Sequence, residues 1–74
     1  MRTVMGDLMN KKSVRNIDLA RKLGISEVVI SAWKTRRAYV PPHHRSKLAC
    51  TLGVDVEDIL DELGMAKVAD EEEL

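Results

Sequence analysis

The residues with the clearest chemistry lie in one short segment near the middle of the chain. If a helix begins at Glu27, a rotation of about 100° per residue places five short side chains on its outer side. These residues are Glu27, Val28, Ser31, Ala32 and Thr35, and the inner side holds Ser26, Val29, Ile30 and Trp33. Short side chains suit a helix that enters a DNA major groove, where carboxylates, methyl groups and hydroxyls can contact base edges. A solvated outer face is the alternative interpretation of such a helix taken alone.

The residues just before this segment are those that a second helix crossing it at a steep angle would require. The preceding helix turns three apolar residues inward, which are Leu19, Ala20 and Leu23. Gly24 permits the positive φ that ends this helix, and Ser26 caps the next one. Ala20 must be small because a larger side chain would push the two helices apart. The spacing therefore predicts a helix-turn-helix, which favours contact with DNA over a merely solvated face.

The combined pattern resembles the phage-repressor family of helix-turn-helix proteins, the Cro and lambda-repressor group, and especially the amino-terminal domains of temperate-phage repressors. The matching residues are LARKLGIS at 19–26, ISAW at 30–33, Pro41 or Pro42, and KLACTLGVDVEDIL at 47–60. The resemblance extends from residue 14 to about residue 63. It implies a compact domain of five helices that binds operator DNA, usually as a dimer.

The resemblance also implies roles for individual positions. Base-edge contacts would fall to four residues of the second helix, namely Glu27, Val28, Ser31 and Ala32. Asn16, at the start of the preceding helix, would contact a phosphate. The chain departs from the family at Arg36, where glycine is frequent. Glu27 and Ala32 replace the long amides common among these proteins, so the operator sequence stays open.

Charge is distributed unevenly along the chain, although the net charge is zero. Residues 1–47 hold eleven Lys or Arg and three Asp or Glu, whereas residues 48–74 hold one and nine. We expect a cationic face near the helix-turn-helix, and at a Debye length of about 8 Å DNA would respond to this local charge. The expected phosphate contacts are Asn16, Ser26, Lys34, Arg36 and Arg37. A solvated basic loop is the alternative for the last three.

The remaining pattern is helical throughout and predicts an all-α bundle of about five short helices. Thr3 can cap the first helix. Pro42 suits the first turn of a fourth helix that ends at Leu52. Asp55 can cap a fifth helix that Gly64 would close. No segment shows the alternation typical of a strand.

The length of 74 residues allows one small domain. We expect residues 1–64 to form the helix-turn-helix domain and residues 65–74 to form an acidic, flexible tail or the start of a linker. A domain of this size buries only about 60% of its unfolded surface, so contacts in a dimer would add to its stability.

Other kinds of site find little support in the sequence. Adjacent histidines on a helix diverge, so His43 and His44 do not share one metal ion, and we expect no metal and no cofactor. The chain has no glycine-rich phosphate loop and no Ser-His-acid set, so we expect no enzyme. A single cysteine, Cys50, fits a reducing cytoplasm. No apolar run is long enough to span a membrane, and the amino terminus lacks signal-peptide features.

Two functions are consistent with these features. The first is a sequence-specific regulator of transcription that binds double-stranded DNA, such as a phage or prophage repressor acting at an operator. It would bind an inverted repeat as a homodimer, because one short helix touches few base pairs. The alternative is an antitoxin or anti-repressor that binds a protein partner through the acidic fifth helix and tail, with Asp58, Asp61 and Glu62 as the contact residues.

Overall fold

Five helices make up the fold of residues 2–69, the part of the chain that this computed structural model describes. They are α1 (Val4–Lys11), α2 (Asn16–Leu23), α3 (Glu27–Lys34), α4 (Pro42–Leu52) and α5 (Val56–Ile59). Within residues 2–69, extended pairing is limited to two isolated bridges. The prediction of an all-α bundle of about five short helices is confirmed.

The turn between α2 and α3 has the conformation that the sequence predicted. Gly24 adopts φ +72 at the end of α2. The N–H of Ile25 then donates to the carbonyl of Ala20 at 2.9 Å, which completes the last turn. Ser26 caps α3, since its Oγ accepts from the N–H of Val28 at 3.2 Å. The cap and the left-handed glycine together define where one helix stops and the next begins.

The core collects apolar side chains from every helix and from the segment that follows α5. Its large side chains that are almost completely buried are Met5, Met9, Leu19, Ile30, Trp33, Val40, Leu48, Leu52, Ile59 and Leu60. Ala20, which is 4% exposed, belongs to the same core, and α2 packs against α3. Burial of each large apolar side chain stabilises the fold by about 1.5–3 kcal/mol relative to exposure.

The expectation that the fifth helix runs to Gly64 is wrong. The helix ends at Ile59, and Leu60 is already extended, with φ −125 and ψ 147. A turn follows in which the N–H of Gly64 donates to the carbonyl of Asp61, and the N–H of Asp61 donates to the carbonyl of Met65. Asp and Gly at the first and last positions are typical of such a turn. The turn forms in place of a longer α5 because it brings Ala66 into the core, where Ala66 pairs with Leu60.

The carboxylate of Asp61 stabilises this turn by accepting hydrogen bonds from its backbone. Its Oδ1 accepts from the backbone N–H of Met65 at 3.0 Å and of Leu63 at 2.9 Å. These hydrogen bonds, with that of Met65 the largest cause, hold the pKa of Asp61 below its usual value. Since the folded pKa is lowered, this contribution to stability is present above the pKa of the unfolded chain and is lost as the pH falls through the folded pKa.

Residues 65–69, which we call the closing segment, pair with residues 2–4 at the other end of the described chain. The N–H of Lys67 donates to the carbonyl of Ile59, and the carbonyl of Lys67 accepts from Val4. Val68 forms an antiparallel bridge with Thr3, and Ala66 is completely buried. The sequence assigned this segment to the tail, and the structure packs it against the domain. The acidic run at 70–73 lies outside the described residues.

Other features expected from the sequence can be located in the fold. Cys50 is exposed. The ring of His44 lies 5.9 Å from that of Trp33, and His43 is exposed on the solvent side. Over residues 2–69, no three His, Cys, Asp or Glu side chains converge on a possible metal site. None of the helices described has both the length and the apolar character needed to cross a bilayer.

Two glycines with similar φ values provide a test of the turn after α5. A Cβ at Gly64 would lie 2.9 Å from the carbonyl oxygen of Val40 and would overlap the guanidinium of Arg45, whereas a Cβ at Gly24 meets nothing within 4 Å. Gly24→Ala should therefore cost only the left-handed strain, about 1 kcal/mol. Gly64→Ala should cost about 2 kcal/mol more, because backbone must also move. Urea unfolding of both variants measures the difference, and equal losses would contradict the close approach at Gly64.

Candidate DNA interface

The outer face of α3 presents the residues that the sequence assigned to base contacts. Val28 is 75% exposed, Glu27 and Thr35 are also exposed, and Ser31 and Ala32 are half-buried. The opposite face is closed to solvent, since Ile30 and Trp33 are 0% and 1% exposed. The structure therefore places the five predicted base-contact residues on one side of α3, where each is at least partly accessible.

Two residues expected on the inner side of α3 are more accessible than the helical wheel indicated. Val29 is 37% exposed, and Ser26 is exposed while it caps the helix. Both lie at the amino-terminal end of α3, where the turn from α2 leaves the helix uncovered. Val29 therefore adds an apolar contact surface next to Glu27 and Val28 that the sequence analysis did not assign to the interface.

Asn16 and Lys34, which are 18 residues apart in sequence, form a polar pair beside this face. The Nζ of Lys34 donates to the Oδ1 of Asn16 at 2.9 Å. Both residues line a groove between the start of α2 and α3, together with Arg15 and Glu27. Because the amide oxygen of Asn16 accepts from the ammonium, the amide NH2 and the remaining ammonium hydrogens are the donors left for an anion. Two predicted phosphate contacts thus share one place.

Arg15, at the edge of the same groove, is held by an ion pair. Its Nε and Nη2 donate to the two carboxylate oxygens of Asp18, each at 3.1 Å, and its backbone N–H donates to the same carboxylate. The side-chain hydrogen bond with Arg15 is the main cause that lowers the pKa of Asp18. Both side chains are exposed enough for solvent to screen the pair, so its main effect is to fix the first turn of α2.

The end of α3 carries a second group of predicted contact residues. The Oγ1 of Thr35 donates to the carbonyl of Ser31 at 2.9 Å and accepts from the Nε of Arg37 at 3.1 Å. The hydroxyl of Thr35 is thus bonded within the protein, although the residue is exposed. Arg37 is itself exposed, so its guanidinium can donate to a phosphate.

Arg36 differs from its neighbours in both backbone and side chain. It adopts φ +61, a left-handed conformation that costs a non-glycine residue about 1–2 kcal/mol. Its Nη2 lies 4.0 Å from the Oδ2 of Asp61 in the turn after α5. At this distance and with both side chains partly exposed, the pair contributes little to stability. A phosphate contact by Arg36 would have to compete with Asp61.

Thr3 bonds to a residue of the candidate interface, and the sequence did not predict this bond. It caps α1 as predicted, because its Oγ1 accepts from the N–H of Gly6 at 3.1 Å. The same hydroxyl also donates to the carbonyl of Lys34 at 2.9 Å, so it joins the start of α1 to the end of α3. The two partners are 31 residues apart, and no local pattern signals a bond over that separation.

Comparison with known proteins agrees with this geometry. A family described as the Cro/C1-type HTH DNA-binding domain matches residues 5–61, which is more than half of the chain. The matched range contains α2 to α5 and all of α1 except Val4, with the exposed face of α3 and the Asn16–Lys34 pair. No curated protein and no solved structure shows significant similarity to the chain. The protein therefore belongs to the family of Cro/C1-type helix-turn-helix DNA-binding domains.

Proposed function

We propose that the protein is a sequence-specific transcriptional regulator, a repressor of phage or prophage type that binds operator DNA through α3. The observation that carries this proposal is the exposed first turn of α3 above a buried Ile30 and Trp33. In the major groove Glu27 would accept from a cytosine amino group, Val28 would contact a thymine methyl, and Ser31 would bond to a base edge. Ala32 and Thr35 would complete the surface that reads the operator.

Phosphate contacts on either side of α3 would orient this surface in the groove. Asn16 and Lys34 would hold one phosphate at the groove beside α2, and Ser26 would contact the backbone at the start of α3. Arg37 would contact the DNA backbone at the other end of α3. Arg36 would do so as well once its ion pair with Asp61 is broken. Such contacts release condensed counterions, so the affinity should fall steeply as salt rises, by a slope of about −0.9 per phosphate in a double-logarithmic plot.

The two classes of contact predict different effects of substitution. Lys34→Ala and Arg37→Ala should weaken binding to all duplexes alike and reduce the salt slope by about one each. Glu27→Gln and Val28→Ala should instead change the preferred bases, at about 1–3 kcal/mol per lost pairing. Selection of sites from random duplex DNA, followed by titrations at several salt concentrations, measures both effects.

Lys67→Ala is the matched control for the basic substitutions. It also removes one positive charge, but from an exposed side chain that bonds to the carbonyl of Glu57 in α5. Its affinity and salt slope should stay close to those of the unaltered protein. Equal binding of selected and scrambled duplexes by the unaltered protein would refute sequence-specific regulation.

The alternative function, capture of a protein partner as in an antitoxin or anti-repressor, would use the acidic residues after α4. Two of these residues already have structural roles: Asp58 accepts from the N–H of Asp55, and Asp61 stabilises the turn to Met65. Glu62 remains exposed. The carboxylates of Asp58 and Asp61 thus already accept hydrogen bonds within the protein, and those of the tail at 70–73 lie outside the described residues. Site selection without any enriched motif would favour this second function.

We further propose that the protein binds its operator as a homodimer on an inverted repeat. A recognition helix of eight residues covers few base pairs, so discrimination within a genome requires a second half-site. The four residues of α5 offer little surface for dimer contacts, and Val68 lies opposite Thr3. Leu63 is 75% exposed in the following turn, and it is the better candidate for an apolar contact between protomers.

The dimer proposal predicts the form of the operator and the effect of one substitution. Half-sites should lie about 34 Å apart, centre to centre, and binding should be cooperative in protein concentration. Leu63→Ser should reduce this cooperativity without loss of monomer stability, because the side chain is already exposed. Electrophoretic titration on intact and half-scrambled sites tests both points. Unchanged binding after one half is scrambled would exclude the dimer.

A further inference from the structure

We propose that Thr3 is a positioning residue for the DNA interface, and that it acts by holding Lys34 at the end of α3. This inference rests on the proposed DNA-binding function and adds a residue that lies outside the expected contact surface. Thr3 is 2% exposed, so it does not itself meet DNA. Any effect of Thr3 on DNA binding is therefore indirect and would act through Lys34, whose carbonyl accepts from its hydroxyl.

The hydroxyl of Thr3 satisfies two helix ends at once. It accepts from the N–H of Gly6 in the first turn of α1 and donates to the carbonyl of Lys34, the last residue of α3. The first N–H groups and the last carbonyls of a helix have no partner within the helix. One buried side chain therefore completes both ends and fixes the end of α3 relative to α1.

The closing segment holds Thr3 in place from the other side. Val68 forms an antiparallel bridge with Thr3, and the carbonyl of Lys67 accepts from the N–H of Val4 at 2.9 Å. The N–H of Ala69 donates to the carbonyl of Arg2 at 3.1 Å. Because the backbone on both sides of Thr3 is paired, its hydroxyl has a defined position from which to bond to α3.

Both the backbone and the side chain of Lys34 are thus held by hydrogen bonds. Its carbonyl is bonded to Thr3, and its ammonium is bonded to Asn16. A lysine that is ordered before binding loses less conformational freedom when it contacts a phosphate. Loss of the Thr3 hydroxyl would release the end of α3 and disturb the Lys34–Asn16 pair. The lost preorganisation of one side chain corresponds to about a three- to tenfold weaker affinity for DNA.

Two substitutions at Thr3 separate the hydroxyl from the shape of the side chain. Thr3→Val keeps the size and branching but removes the hydrogen bonds, whereas Thr3→Ser keeps the hydroxyl. Thr51→Val is the matched control, because the Oγ1 of Thr51 also donates to the carbonyl of a lysine, Lys47, but within α4. Each affinity is corrected for the folded fraction from urea unfolding, so partial unfolding is not counted as lost binding.

The decisive experiment is a double-mutant cycle between Thr3→Val and Lys34→Met on the selected operator. If Thr3 acts through Lys34, Thr3→Val alone should weaken binding about three- to tenfold and lower the salt slope. The same substitution should have little further effect when it is added to Lys34→Met. Thr3→Ser should restore both values, and Thr51→Val should leave them unchanged.

Other outcomes would overturn the positioning role of Thr3. Effects of Thr3→Val and Lys34→Met that simply add would mean that the hydroxyl influences binding independently of Lys34. A corrected affinity and salt slope unchanged in Thr3→Val would refute any contribution to binding. In both cases the unaltered protein still binds its operator, so DNA binding itself stands. If the unaltered protein bound no duplex DNA, the proposed function would fail together with the role of Thr3.

Discussion

The burial of Ile30 and Trp33 is the constraint on which the rest of the structure depends. These residues are three positions apart on α3 and are 0% and 1% exposed, so only one rotation of the helix satisfies both. A shift by one residue turns the helix by about 100° and would bring Trp33 into solvent. The outward direction of Glu27 and Val28 follows from this choice. The core thus selects which residues of α3 face outward, although its own residues are closed to solvent.

A helix of eight residues is too short to be stable alone, so α3 depends on contacts at its two ends. At the start, Ser26 caps the helix and the turn at Gly24 fixes its angle to α2. At the end, Thr3 bonds to the carbonyl of Lys34, and Asn16 bonds to its ammonium. The latter bonds come from α2 and from the residue before α1. The outer face of α3 is therefore held in position by three other parts of the chain.

The acidic half of the chain contributes to the fold as well as to the charge balance. The carboxylate of Asp61 organises the turn that follows α5, and that turn directs the closing segment toward the amino terminus. The closing segment in turn pairs with Thr3 and Val4. A path of hydrogen bonds thus runs from the turn after α5 to the end of α3. This path links residues beyond the predicted domain boundary to the end of α3.

The sequence by itself determined the helix-turn-helix, the bounds of α4 and the outer face of α3. These features depend on local signals: a glycine with positive φ at 24, a cap at 26, proline at 42 and the helical spacing of apolar residues. The length of α5 was decided by tertiary structure, because burial of Ala66 beside Leu60 outweighs continuation of the helix. The Asn16–Lys34 and Thr3–Lys34 bonds join residues 18 and 31 positions apart. Contacts at such separations exist only once the helices have packed, so no pattern within one segment encodes them.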